Sequence, residues 1–207
     1  MNRVVARIKD RSLVQRRRAQ IVQAARAVFR DKGFHRATVR DIGRAARMTQ
    51  GTLYNYVRSK EDILFLICDE LVATYQASIR DVLASLGDGD PRTRLRGAIR
   101  ALIRVMDERQ DDVLLMYHES HSLHRKALHS VLNRVHEFVE DFASLVKETA
   151  AAAGLPAPNA RLTANILTFM PTMVALRRWD LKSCASADEV TDELVRFMMR
   201  GLGSGAA

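Results

Sequence analysis

Three short stretches of the 207-residue chain carry side chains able to do chemistry. The first is Thr49-Gln50-Gly51-Thr52-Leu53-Tyr54-Asn55-Tyr56, where hydroxyls, a carboxamide and two phenols surround a glycine. Such groups hydrogen-bond to phosphate oxygens and base edges, and a glycine lets backbone approach a duplex closely. The second is His118-Glu119-Ser120-His121, followed by His124, His129 and His136. These imidazoles suit a metal site or a pH sensor, and they equally suit exposed or pocket-lining positions. The third is Arg177-Arg178-Trp179, two cations beside a stacking surface. That set fits a nucleotide or phosphate, and it also fits an aromatic packed at a dimer seam beside solvated arginines.

Catalysis finds no footing in these stretches. The metalloprotease motif HExxH requires a second histidine at position 122, which is Ser122. No nucleophile with an adjacent base and no paired thiolates are in view, so neither an enzyme, a cofactor nor a bound metal is expected. Cys68 and Cys184 form no CxxC pair and no disulfide framework, which suits a reducing cytoplasm. The longest uncharged stretch of the C-terminal half, Leu162 to Leu176, is 15 residues and contains Asn165 and Pro171. A bilayer needs roughly 20 apolar residues, so no membrane span is expected. The basic N-terminus lacks an apolar core and a cleavage site, and a cytoplasmic location is expected.

Charge divides the chain. Residues 1–60 hold 16 Lys and Arg against Asp10, Asp31 and Asp41, a net of +13 in a chain whose total is +9. A basic head on a mildly acidic body points to a head that meets a polyanion, because phosphate neutralisation supplies most non-specific nucleic-acid affinity.

The elements that must position these groups read as helices throughout. Ile21, Ala25, Val28 and Phe29 repeat with helical spacing, and Gly33 closes a helix over about 16–32. Thr38 caps a short helix over about 39–46 with Asp41 in its first turn, and Thr49 caps a second over about 50–56. Ser59 opens a long helix to about Leu86, and Pro91 starts a fifth to about Arg109. Further helices are expected at about 111–120, 123–153, 159–181 and 187–200, with Pro171 kinking the third of these. The fold class is all-α. Domains are expected at 1–15 (a basic arm), 16–60 (DNA binding) and 61–201 (ligand binding and dimerisation), with 202–207 a tail.

Two short helices joined by a three- or four-residue turn form a helix-turn-helix, whose second helix enters the major groove. Leu53 should face inward, Gln50 and Thr52 should reach bases or phosphates, and Tyr54 and Tyr56 should offer hydroxyls or pack as core aromatics. The run from Ala37 to Ala46, then Thr49 to Val57, then Ser59-Lys60-Glu61-Asp62-Ile63-Leu64 resembles the tetracycline-repressor (TetR) family over residues 16 to 67. The resemblance implies a dimeric all-helical regulator, usually a repressor, that binds double-stranded operator DNA and is released by a small-molecule effector. It places Arg40, Thr49, Gln50, Gly51, Thr52, Tyr54, Tyr56 and Lys60 at DNA contacts, and the start of the first short helix sets Thr38 beside Arg40 near one run of phosphates. The family often has Gly-Val in the turn where this chain has Arg47-Met48, so a residue other than glycine must make the bend, and Arg47 is placed to touch phosphate. Arg3, Arg7, Lys9 and Arg11 form an arm suited to a minor groove or to a solubilising tail.

In the body, Leu102, Met106, Tyr117, Phe138, Phe169 and Met173 are candidate pocket residues, with space expected beside Pro171. The stretches from Met116 to Leu123 and from Arg177 to Trp179 are similar to the branch of the family that senses acyl-coenzyme A thioesters in lipid or sterol catabolism. That resemblance implies an acyl part within the body, with Arg177, Arg178 and Trp179 meeting the coenzyme. The alternatives are a hydrophobic effector of an efflux or other catabolic operon, or a ligand-independent architectural DNA-binding protein. The last two long helices carry stripes Leu162, Ile166, Phe169, Met173 and Val190, Leu194, Phe197, Met198, which by the resemblance form a homodimer seam on a palindromic operator. Gln50→Ala should relax sequence preference, whereas Tyr54→Phe and Lys60→Ala should weaken binding to all sequences alike. Titrations on cognate and scrambled duplexes at one salt concentration check this, and equal losses on both duplexes for Gln50→Ala would remove its base-reading role.

Overall fold

A computed structural model describes residues 11–154 and 159–203. All regular elements among the described residues are helical. Helix α1 is Arg11–Lys32, α2 Val39–Ala45, α3 Gln50–Tyr54 and α4 Lys60–Leu86. In the body, α5 is Pro91–Glu108, α6 Gln110–Glu119, α7 Arg125–Ala152, α8 Ala160–Phe169, α9 Met173–Leu176, α10 Arg178–Cys184 and α11 Ala187–Gly203. Helix α1 starts at Arg11, so the last part of the expected arm is helical; Arg3, Arg7 and Lys9 lie outside the described residues, as do 204–207 of the expected tail.

Local chemistry sets the helix starts. Thr38 and Asp41 form a reciprocal capping box at α2, and the ammonium of Lys32, with the Thr38 hydroxyl, holds the Asp41 carboxyl down at about 2. Thr49 Oγ1 accepts from the Thr52 amide at 3.2 Å, Ser59 caps α4, and Asp90 with Pro91 opens α5. Beyond Pro171 the expected single helix over 159–181 does not continue. Because proline lacks an amide proton, the chain tightens into a 3-10 turn at Met170–Thr172 and resumes as the short helices α9 and α10.

Two apolar clusters organise the packing. The head cluster gathers Ile21, Ala25, Phe29, Phe34, Ile42, Leu53 and Val57 with Ile63, Leu64, Ile67 and Cys68 of α4. It also takes in Leu123 and Val131 from the body, so the head's core is completed by α7. The body cluster is built on Leu71, Val72, Tyr75 and Ile79 of α4, Leu95 to Met106 of α5, and Phe138 to Val146 of α7. Helix α4 therefore runs through both. Burial pushes the Cys68 thiol up to about 12, which keeps it protonated and inert. No helix among the described residues is long and apolar enough to cross a membrane.

A charged cluster joins head to body. Asp112 of α6 is 4% exposed and accepts from Arg26 Nε of α1 at 2.8 and 3.0 Å through its two oxygens. Arg109 Nη1 stands 3.7 Å from the same carboxylate, and Glu70 of α4 lies 3.2 Å from both Arg26 and Arg109. Burial works to lower the Arg26 pKa, but the hydrogen bond and charge of Asp112, with Glu70, outweigh it and the net shift is upward. Removing Arg26 takes away the hydrogen bonds to the buried Asp112 carboxylate and leaves Arg109, at 3.7 Å, as its nearby counter-charge. Arg26→Ala should therefore cost about 3 kcal/mol, a Tm fall of roughly 6–12 °C by calorimetry, and the double variant with Asp112→Ala should recover part of it. Additive losses would show that the two groups act independently.

Candidate nucleic-acid interface and body cavity

The helix-turn-helix is assembled from α2, the turn at Ala46–Thr49 and α3. Arg47 has φ +53°, the one positive φ outside glycine among the described residues, so the residue other than glycine expected in this turn bends the chain through the left-handed region. The bend is pinned on both sides. The Met48 amide donates to Gly43 O at 2.9 Å, and Gln20 Nε2 of α1 donates to Ala46 O at 2.8 Å. Leu53 is fully buried against the head cluster, which sets the face that α3 presents outward.

On that face Thr49, Gln50, Gly51 and Tyr54 are exposed and Thr52 is half-buried. Tyr54 has 51% of its surface free, whereas the half-buried Tyr56 packs its ring against the head cluster and keeps only part of its surface for a partner. Arg40, Arg47 and Thr38 are exposed at the flanks. Lys60 behaves differently. Its ammonium donates to the carbonyls of Phe34 at 2.9 Å and His35 at 3.0 Å, lies 3.5 Å from that of Ala37, and sits 4.7 Å above the Phe34 ring. It therefore ties the α1–α2 loop to the start of α4, and a contact with phosphate would share an ammonium already engaged.

The body holds a small apolar cavity of about 100 Å³. Four of the expected residues line it: Met106, Tyr117, Phe138 and Phe169. Its wall is completed by Leu71 and Tyr75 of α4, Val113 and Met116 of α6, Val135 and Val139 of α7, and Asn165, Thr168 and Thr172. Tyr75 packs tilted on Phe138 at 4.6 Å, and Tyr117 meets Phe169 edge to face at 5.9 Å between centroids. Burial raises the Tyr117 pKa, opposed by its hydrogen bond with Thr172. Space beside Pro171 was expected, and Phe169 and Thr172 border it.

The remaining candidates stand elsewhere. Leu102 is fully buried in the body cluster and Met173 packs against that cluster beyond the break at Pro171; neither lines the cavity. Arg177 is exposed and Trp179 is 75% free, so this pair also lies outside the cavity lining. Arg178 donates to Asp111 at 2.5 Å and borders a separate groove of about 730 Å³ between head and body. That groove is lined by Arg26, Arg30 and Phe34 of the head and by residues 107–112, Leu114, Leu115, His118 and Glu119 of the body. The polar cavity residues Asn165, Thr168 and Thr172 escaped the sequence reading because they fall within an apolar run where nothing marks them as lining a space.

Comparison with known proteins agrees with this architecture. Residues 21–67 match the family described as bacterial regulatory proteins, tetR family, and residues 88–202 match a tetracyclin repressor-like C-terminal domain. The chain is 30% identical over 189 residues to the HTH-type transcriptional regulator HbdR of Aromatoleum sp. (strain CIB), covering 90% of this chain and 80% of that relative. A tetR-family regulatory protein from Rhodococcus RHA1 superposes with a TM-score of 0.79 at 22% identity, covering 92% of this chain and 98% of that one. The regulator AibR, solved with isovaleryl coenzyme A and operator DNA, superposes with a TM-score of 0.70 at 22% identity, over 86% of this chain and 96% of AibR. The protein is thus a helix-turn-helix transcription regulator, not an enzyme, and it belongs to the TetR family of DNA-binding proteins.

Gly51 allows a test of the α3 face. A Cβ built there would meet nothing within 4 Å of the chain itself, and alanine is the better helix former by up to about 1 kcal/mol. Gly51→Ala should leave the thermal midpoint unchanged or raised while weakening DNA binding about tenfold, a change of about 1.4 kcal/mol. Unaltered affinity would mean that no partner approaches the backbone of α3 at this point.

Proposed function

We propose that the protein is a repressor that docks as a homodimer on a palindromic operator and is released by a small apolar effector, in the cytoplasm. Residues 16–60 are the DNA-binding unit and 61–201 the effector and dimerisation unit. Thr38, Arg40, Arg47, Thr49, Gln50, Gly51, Thr52, Tyr54, Tyr56 and Lys60 meet DNA, with Gln50 and Thr52 reading bases and the others positioning the head on phosphates. The observation that carries this reading is the exposed polar face of α3, held outward by buried Leu53, in a first 60 residues whose net charge is +13.

The effector enters the cavity bordered by Phe169. A cavity near 150 Å³ suffices for benzene, so about 100 Å³ suits a short or branched acyl group unless the walls move apart. Only the acyl part of a short-chain acyl-coenzyme A enters such a volume, with the walls parting for a branched one, and the isovaleryl thioester bound by AibR supports the choice. The acyl part meets Met106, Tyr117, Phe138 and Phe169, and Arg177, Arg178 and Trp179, outside the cavity, are left to meet the coenzyme. Helix α6 borders the cavity through Val113, Met116 and Tyr117 and grips the head through Asp112 and Arg26. Widening the cavity displaces α6, and with it α4, changing the separation of the two recognition helices. A coupling energy of 1–3 kcal/mol changes affinity about 5- to 150-fold.

The dimer seam is assigned to Leu162, Ile166 and Phe169 of α8 with Phe197 of α11, all of which are more than half exposed or at that level. The stripe expected on the last helix is corrected here: Leu194 and Met198 are buried within the chain and Val190 packs on the body cluster, because α11 lies against α5. Replacing Ile166 with glutamate should convert a dimer to a monomer by light scattering and abolish tight operator binding; a dimer that survives would move the seam elsewhere.

A salt-controlled titration on the upstream intergenic region, with and without a panel of acyl-coenzyme A thioesters and the matching free acids, tests the reading as a whole. Sequence-dependent binding that one short-chain thioester abolishes is the expected result. Release by a free acid would favour a simple hydrophobic effector, and binding indifferent to sequence would overturn the repressor. Scattering that shows identical head spacing with and without effector would overturn the proposed movement.

A further inference from the structure

We propose that His35, Glu119 and His121 form a site for a divalent transition-metal ion, zinc or one of like preference, bridging the DNA-binding head and the body. His35 lies in the loop between α1 and α2, Glu119 ends α6, and His121 sits in the 3-10 turn at Ser120–Ser122. A nitrogen of each histidine and an oxygen of the glutamate all lie within 4.8 Å of one another. Two of them are already at ligand spacing. His35 Nε2 is 3.1 Å from Glu119 Oε2, against about 3.4 Å between neighbouring ligands of a tetrahedral zinc with bonds near 2.1 Å.

The state of Glu119 is the second observation. Its Oε2 is closed off from solvent, yet no hydrogen bond reaches it, despite the nearby imidazole. A buried carboxylate oxygen without a donor carries a desolvation penalty, and a cation removes it. The two histidines are exposed, so their rings are free to turn inward and close the remaining gap to His121. Two imidazoles and a carboxylate make a borderline nitrogen and oxygen set that suits zinc and its neighbours better than magnesium or calcium. Three protein ligands leave a fourth position for water.

The histidine run of the second half does not itself supply this site. Among the described residues, His118, His124, His129 and His136 enter no such cluster, and His136 Nδ1 faces Arg161 Nη2 at 3.2 Å. The partner of His121 comes from the head, 86 positions earlier in the chain. An ion held there ties the recognition unit to the end of the helix that borders the cavity.

Tag-free protein stripped with a chelator is titrated with Zn²⁺ by calorimetry, and with Co²⁺ by visible absorption as the spectroscopic probe. The parent should bind one zinc per chain at micromolar concentration, with a rise in the thermal midpoint because the ion binds only the folded chain. His35→Ala and His121→Ala should each weaken zinc at least tenfold and remove the rise, while His129→Ala leaves both unchanged. Absence of micromolar binding in the parent, or binding that survives both His35→Ala and His121→Ala, would overturn the site. Neither result bears on whether an acyl thioester releases DNA.

Discussion

A carboxylate that folding takes out of water must meet a positive charge, and at Asp112 that charge comes from the other half of the molecule. Arg26 reaches it from α1 with two hydrogen bonds, while Glu70 on α4 and Arg109 at the α5–α6 joint complete an alternating set of charges. Arg26 divides its guanidinium between two elements, Nε to both oxygens of Asp112 on α6 and Nη2 to Glu70 on α4, so the head is tied to two helices of the body at one point. The apolar contacts of Leu123 and Val131 with the head cluster add adhesion without specifying an angle.

Helices α4, α6 and α7 therefore belong to both halves, α7 through Val131 on the head side and Phe138 to Val146 on the body side. Helix α4 contributes Ile63 to Cys68 to the head cluster and Leu71 to Ile79 to the body cluster. Helix α6 is short and polar on one side, with Asp111, Asp112 and Glu119 turned to the groove and Val113, Met116 and Tyr117 turned to the cavity. In the proposed mechanism this two-sided character is the coupling itself. A close-packed interior cannot absorb an inserted group by compression, so the wall that moves is the one held by the fewest apolar contacts and the most adjustable polar ones. The small size of the cavity strengthens that requirement.

Much of the head was legible because its signals are local. Thr38 with Asp41, Thr49 with Thr52, and Ser59 with Asp62 each close a cap within one helical turn, so residue type and spacing suffice. The bend at Arg47 was also readable, as the place where glycine is customary and absent. The body was legible as helices, but the sides those helices present were not. Leu194 and Met198 look in sequence like a seam and are core, whereas Leu162 and Ile166 of the same apolar type are exposed. A stripe records that a face is apolar and leaves open whether its partner is the same chain or another. Pro171 signalled a disturbance, and only the folded chain shows that the helix stops there and resumes as shorter pieces.

By itself the sequence determined an all-helical chain with a basic helix-turn-helix head, its caps, its turn and the inward-facing Leu53, since these depend on hydrogen bonds and periodicity within a few residues. Tertiary structure alone decided what distant side chains meet: Arg26 with Asp112, His35 with Glu119 and His121, Lys60 with the carbonyls of the α1–α2 loop, and Asn165 and Thr172 with the cavity. The physical reason is that charge pairing and cavity formation act through space at a few ångströms. Separation along the chain leaves no trace of them, because an arginine on a helix surface carries the same pattern whether it faces solvent or a buried carboxylate.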